Sequence, residues 1–298
     1  MAVQTVKVLI NGTTHLFTYD EASRQYKATI SAPLETSYGQ NGEHYYPVSL
    51  TAIDDAGNRV TINDSNETFG DRLRLRVKEI TKPTIEIKNP SMGSVVNATI
   101  QTVIWHVIDN ESGIDTGSIS LKFNGRLINS QDISITEIDG GGYRCEYITS
   151  EMVDGTQTVI FNVTDNDGNR ADEVVVTFTV DVSGPTLIVE EPADNFITNK
   201  ERIIVSGRVD DISKPVVLTI NETPVVIGSG GEFTQEIQLI EGANILTIVA
   251  KDSLENESKI VRIITLDTKP PIISEVTLKP NPVNVGQTYI ITVTVVDP

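Results

Sequence analysis

Residues Gln157-Thr158-Val159-Ile160-Phe161-Asn162-Val163-Thr164 largely alternate polar and apolar side chains, Asp165-Asn166-Asp167-Gly168-Asn169-Arg170 interrupts them, and Val174-Val175-Val176-Thr177-Phe178-Thr179-Val180 resumes the pattern. A period of two puts one face of a strand in a core and the other in water, while Asp-Gly and Gly-Asn tolerate the positive φ of a tight turn. The stretch predicts a β-hairpin. Gly184-Pro185 closes it with a restrained hinge, because proline fixes its own φ and restricts the residue before it.

The same plan occurs twice more, which is the mark of a tandem repeat. Asn244 to Asp252, a turn through Asn256, Ile260 to Asp267 and Lys269-Pro270-Pro271 form one copy. Val48 to Asp54, the turn Asp55 to Asn58, a longer excursion, Leu73 to Val77 and Lys82-Pro83 form the other. Upstream of each hairpin lies a further shared strand, at Val8-Leu9-Ile10-Asn11-Gly12, Leu121-Lys122-Phe123-Asn124-Gly125 and Leu218-Thr219-Ile220-Asn221-Glu222. Two copies carry an additional upstream portion, Pro83 to Ile114 and Pro185 to Ser213. The first copy starts at its third strand, and residues 271–298 match strands one and two of a copy whose remainder is not in the sequence.

Some seven short strands per roughly 85 to 100 residues, with turns every 8 to 12, is the pattern of an immunoglobulin-type β-sandwich. The Asp-x-x-Gly-Asn hairpins at Asp54 to Asn58 and Asp165 to Asn169, the Asp109-x-x-Ser112-Gly113-Ile114 turn and the Pro-Thr and Pro-Pro linkers resemble the bacterial immunoglobulin-like domains found in tandem in cell-surface and bacteriophage virion proteins. The expected fold is all-β, with tandem sandwiches arranged as an elongated rod. The expected division is 1–82, lacking its first two strands; 83–184; 185–270; and a C-terminal strand pair, 271–298. What the resemblance implies is a non-enzymatic virion component presenting loops to a bacterial envelope, with virion proteins or envelope glycan as partners. A bacterial surface adhesin, or a carbohydrate-binding accessory region of an exported hydrolase, stands as the alternative.

Composition narrows the classes. With 23 Lys and Arg against 41 Asp and Glu, the formal charge of -18 disfavours phosphate backbones and anionic lipid. The single cysteine, Cys145, leaves no intrachain disulfide, and no run reaches the ~18 apolar residues of a membrane helix. Met1 to Lys7 lacks the basic and apolar segments of a signal peptide; for a complete chain the expectation is synthesis in a cytoplasm and a place in a virion, or on a cell surface in the adhesin reading.

Three groups of residues stand out. The first module carries insertions at Tyr38 to Tyr46 and Asn63 to Asp71, and Gln40, Asn41, His44, Tyr45 and Tyr46 combine the amides and rings that suit a sugar. A loop entering a strand, with a tyrosine packed at the sandwich edge, is the plainer reading. Asp165, Asp167 and Asn169 offer oxygen ligands to Ca²⁺, although the glycine falls at the fourth position instead of the sixth of an EF-hand loop, and a simple hairpin turn competes. Asp109, Glu111 and Asp115 are weighed in the same way. No other cofactor is expected, and His15, His44 and His106 sit in unrelated contexts. Finally, Ile290, Ile291, Val293 and Val295 give the last ribbon regular apolar positions, and strand donation that completes the first module, either in a neighbouring subunit or across a long molecule, is the assembly expectation; a truncated domain and a strand pair folding back on the third module compete with it.

Overall fold

The computed structural model of the chain describes residues 2–297. The chain divides into two compact units, Met1–Val180 and Asp181–Pro298.

The first unit opens with β1 (Val3–Ile10), β2 (Thr13–Leu16), β3 (Thr18–Asp20), β4 (Gln25–Lys27), β5 (Tyr46–Asp54), β6 (Arg59–Ile62) and β7 (Arg74–Leu75). One antiparallel sheet runs β2-β1-β5-β6, β7 adds to the start of β5, and β3 and β4 form a separate hairpin. Val8 pairs with Leu50, and Leu50 with Ile62, which lines apolar residues up across the sheet. The partner that follows the Asp54 turn is Arg59–Ile62, not Leu73 to Val77, because the Asp54 carboxylate takes the Ala56 and Asn58 amides and returns the chain at once. The excursion comes after the hairpin. Among the described residues, the buried apolar residues of this part are Val8, Tyr45, Tyr46 and Leu73.

A complete sandwich follows, built from β8 (Thr84–Asn89), β9 (Val95–Val96), β10 (Thr102–Ile108), β11 (Ser120–Phe123), β12 (Arg126–Leu127), β13 (Ile133–Ile138), β14 (Gly142–Ile148), β15 (Gly155–Asn162) and β16 (Val174–Val180). Its sheets are β13-β14-β10-β8 and β12-β11-β15-β16-β9, with β9 parallel to β16. The chain thus crosses between sheets within its first strand region, and the later strands wrap in the order of an immunoglobulin-like or fibronectin-III-like domain. β10 reads buried at Val103, Trp105 and Val107, so of Trp105 and His106 the tryptophan is the core residue. Its ring meets Phe161 of the opposite sheet at 5.1 Å, the tilted geometry that aromatic pairs favour. Cys145 is wholly buried beside it in register, and burial pushes its thiol up to about 12.

The second unit repeats the plan with β17 (Thr186–Glu191), β18 (Phe196–Thr198), β19 (Arg202–Asp210), β20 (Val217–Ile220), β21 (Thr223–Val225), β22 (Glu232–Gln238), β23 (Gly242–Lys251) and β24 (Glu257–Leu266). The sheets are β17-β19-β22 and β18-β24-β23-β20-β21, enclosing a core that includes Val205, Leu218, Ile220, Phe233, Leu246, Ile248 and Ile264. Gly207 lets the strands close: a Cβ there would stand 2.0 Å from the Ile188 carbonyl oxygen and 2.8 Å from the Phe233 ring. The unit ends in the ribbon β25 (Ile272–Lys279) and β26 (Ile290–Val296), whose apolar side chains are all exposed.

Candidate functional site

Two places concentrate chemistry. The first is built by the insertions of the first module, which lie far apart in sequence and pack together. The Tyr45 hydroxyl donates to Asp64 Oδ2 at 2.7 Å. Arg74 pairs with Glu43 at 2.7 Å and lies over the Tyr45 ring at 5.0 Å. The Asp64 carboxylate raises the Tyr45 hydroxyl above its ordinary value, with burial second, because ionisation would set two negative charges side by side. Within the loop, Asn41 donates to the Tyr45 carbonyl at 2.7 Å and accepts from the Glu43 amide at 3.0 Å, while His44 stacks on Tyr38 at 4.0 Å.

The five residues marked for sugar binding therefore divide. Asn41, His44 and Tyr45 hold the loop together, and Tyr46 is buried with its hydroxyl on the Glu35 carbonyl. Gln40 remains exposed, with only its backbone amide bonded. Together with Tyr46, Leu9, Asn11, Asn63 and Asp64 it lines a cleft of about 440 Å³.

The second place is a pair of carboxylate groups built on one plan. Glu79, Asp109 and Asp165, all buried, bring carboxylate oxygens within 4.8 Å of one another, as do Asp181, Asp211 and Asp252 in the second unit. In each, the hairpin acid receives two backbone amides and its own hairpin asparagine. Asp165 Oδ1 accepts from the Gly168 and Asn169 amides and Oδ2 from Asn169 Nδ2 at 2.8 Å; Asp252 repeats this with the Leu254 and Asn256 amides and Asn256 Nδ2 at 2.8 Å. The same asparagine nitrogens reach the linker carbonyls of Glu79 and Asp181 at 3.2 Å. A serine completes each set, Ser112 donating to Glu79 at 3.1 Å and Ser213 to Asp181.

Among the described residues no ion pair reaches any of these six acids. Burial, and then the Asp165 side chain, raise the Glu79 carboxyl above its usual range. For Asp165 burial acts upward, but bonds from Glu79 and Asn169 outweigh it and bring it below the usual range, so the shared proton belongs to Glu79. Burial likewise raises Asp211, with Asp181 and Asp252 adding to it. Such hard oxygen sets suit a proton shared between acids and, equally, a divalent cation such as Ca²⁺.

Of the sequence-marked trio, Asp165 alone joins the group. Asp167 Oδ2 accepts the Thr36 hydroxyl and the Glu79 amide, and Asn169 bridges as described. Asp109 belongs, Glu111 accepts the Thr81 hydroxyl, and Asp115 caps a single helical turn through the Gly117 amide. Sequence reasoning missed Glu79, Asp181, Asp211 and Asp252. A signal was present: 30 residues separate Glu79 from Asp109 and Asp181 from Asp211, and the same spacing recurs between Asp267 and Asp297.

Residues 185–268, which hold the sandwich of the second unit, match the family described as glucodextranase, domain B. The chain is similar to the long isoform of ulvan lyase from Alteromonas sp. (strain LOR), 24% identical over 70% of this chain and 23% of that protein. It is also similar to bacillopeptidase F from Bacillus subtilis (strain 168), 32% identical over 33% of this chain and 7% of that protein. The chain therefore spans less than a quarter of either curated relative. Among solved structures, fibronectin(III)-like modules of Clostridium thermocellum CbhA align over 62% of this chain and 94% of theirs, at 17% identity and a TM-score of 0.30. The strand order given above, and not that alignment, defines the sandwiches. Nothing in these likenesses speaks for a phage origin.

Proposed function

We propose that the chain is a non-catalytic accessory region of a larger degradative protein, a series of sandwiches that spaces and positions rather than reacts. The observation that carries it is the match of residues 185–268 to domain B of glucodextranase, supported by similarity over most of the chain to a lyase of which it covers only 23%. The hydrolase-accessory alternative named from the sequence gains from these likenesses; the virion placement gains nothing, and the surface-adhesin reading shares the spacer role.

The test is turnover. Purified chain is incubated with ulvan, neutral glucans and casein, and reducing ends, unsaturated uronate absorbance and released peptides are followed. No product above a heat-treated control is the expected result. Product formation that a single substitution in the chain abolishes overturns the reading.

A further inference from the structure

We propose that the cleft between the two insertions of the first module binds a neutral pyranose chain. This rests on the accessory reading and gives it a ligand class. The two complete sandwiches have no counterpart of either insertion, and both insertions contribute to this one cleft: Gln40 from the first, Asn63 and Asp64 from the second. Among the described residues, the Gln40 side-chain amide has no hydrogen-bond partner. Asp64 spends Oδ2 on the Tyr45 hydroxyl and keeps Oδ1. Asn63 spends its carbonyl oxygen on Ser65 and keeps its amide nitrogen. Amides and a carboxylate lining one cleft offer both donors and acceptors, which is what vicinal hydroxyls of a sugar ring require. Leu9, 45% exposed, supplies an apolar edge for the ring's carbon face.

Three features shape the ligand. A volume of about 440 Å³ lies in the ordinary range for small-ligand sites. The walls are set before binding, by the Tyr45–Asp64 bond, the Arg74–Glu43 pair and the Asn41 bonds, so little ordering has to accompany it. Asp64 is the charged residue of the cleft and the chain carries -18 overall, so a carboxylated or sulfated glycan is repelled where a neutral one is not.

Binding of the full chain to soluble dextran, laminarin, xylan and galactomannan, and to ulvan as the polyanion, is measured by affinity electrophoresis and calorimetry. Gln40→Ala and Ser49→Phe are compared with the parent, Ser49 lying on the cleft wall. The expected result is saturable binding of at least one neutral polysaccharide, weakened tenfold or more by Gln40→Ala and lost in Ser49→Phe. No neutral binding, binding that both variants retain, or binding of ulvan alone overturns the proposal. Should Ser49→Phe melt early, the exposed Gln40 decides by itself. The turnover assay reads the accessory role separately: inert chain that binds no glycan removes the cleft proposal and leaves that role standing.

Discussion

Replacing Glu79 by Gln removes one ionisable group from a buried set of three and leaves its shape. Two carboxylates 4.8 Å apart repel by about 3.5 kcal/mol at an effective dielectric of ~20. Full ionisation would impose this three times over, and it adds to burial, the larger cause, and to the Asp165 hydrogen bond in holding the proton on Glu79 above the usual range, while Asp165 ionises readily. The sign follows from linkage. Over the window that opens above the ordinary Glu value of 4.5, the folded chain binds more protons than the unfolded, so its stability falls as pH rises through it. Asp165 contributes in the opposite sense, but only where acid falls below its ordinary 3.8. A glutamine amide can donate to Asp165 at every pH. Glu79→Gln is therefore expected to raise stability and melting temperature at pH 7.5 in EDTA, within the ~3.5 kcal/mol of one such repulsion, and by much less at pH 5. Scanning calorimetry at both pH values reads it. Adding CaCl₂ reverses the order if the three acids take a cation, since the parent alone then offers the full charge. A variant less stable than the parent at pH 7.5 in EDTA would refute the reasoning, for it would mean that the ionised Glu79 carboxylate is satisfied by Ser112 and Thr81 alone.

Two further outcomes follow. Gly207→Ala drives a methyl group against the Ile188 carbonyl and the Phe233 ring, and should cost about 2–3 kcal/mol in urea unfolding of the second unit; a loss under 0.5 kcal/mol would show that β17 shifts freely. Removing residues 271–298 tests the assembly expectation at Ile290, Ile291, Val293 and Val295: sedimentation velocity between ~5 and ~100 µM should show association in the full chain and not in the truncated one, and a monomer in both sinks it.

How much of this was legible before the structure depends on the range of the forces involved. The sandwiches were, because Val103, Trp105 and Val107 or Leu246, Ile248 and Ala250 report a buried face through alternation alone. In the first module, β1 sits between β2 and β5 as β11 sits between β12 and β15. The partner of the first hairpin was misread because the excursion from Asn63 to Asp71 was placed inside the hairpin, although the Asp54 turn closes in four residues. The cleft lay half in view: the insertions were evident, but that Tyr45 would spend its hydroxyl on Asp64 is a contact across 19 residues that no local pattern encodes. The carboxylate groups were hidden for a related reason. Each acid alone reads as a turn or linker residue, and only a comparison of spacing between repeats unites Glu79 with Asp109.

The asparagine that ties each hairpin to the preceding linker has a bearing on how such chains are cut and joined. Asn169 holds the Glu79 carbonyl and Asn256 the Asp181 carbonyl, so each linker acid is owned by the sandwich that comes after it. A duplication or graft with its seam at the prolines, Pro83 or Pro185, strands that acid on the wrong side and leaves the hairpin amide only its bond to the hairpin acid. A seam just upstream of Glu79 or Asp181 carries the whole set along. The heritable unit of this chain is thus a sandwich together with the few residues in front of it, and shuffled descendants should show their joints there.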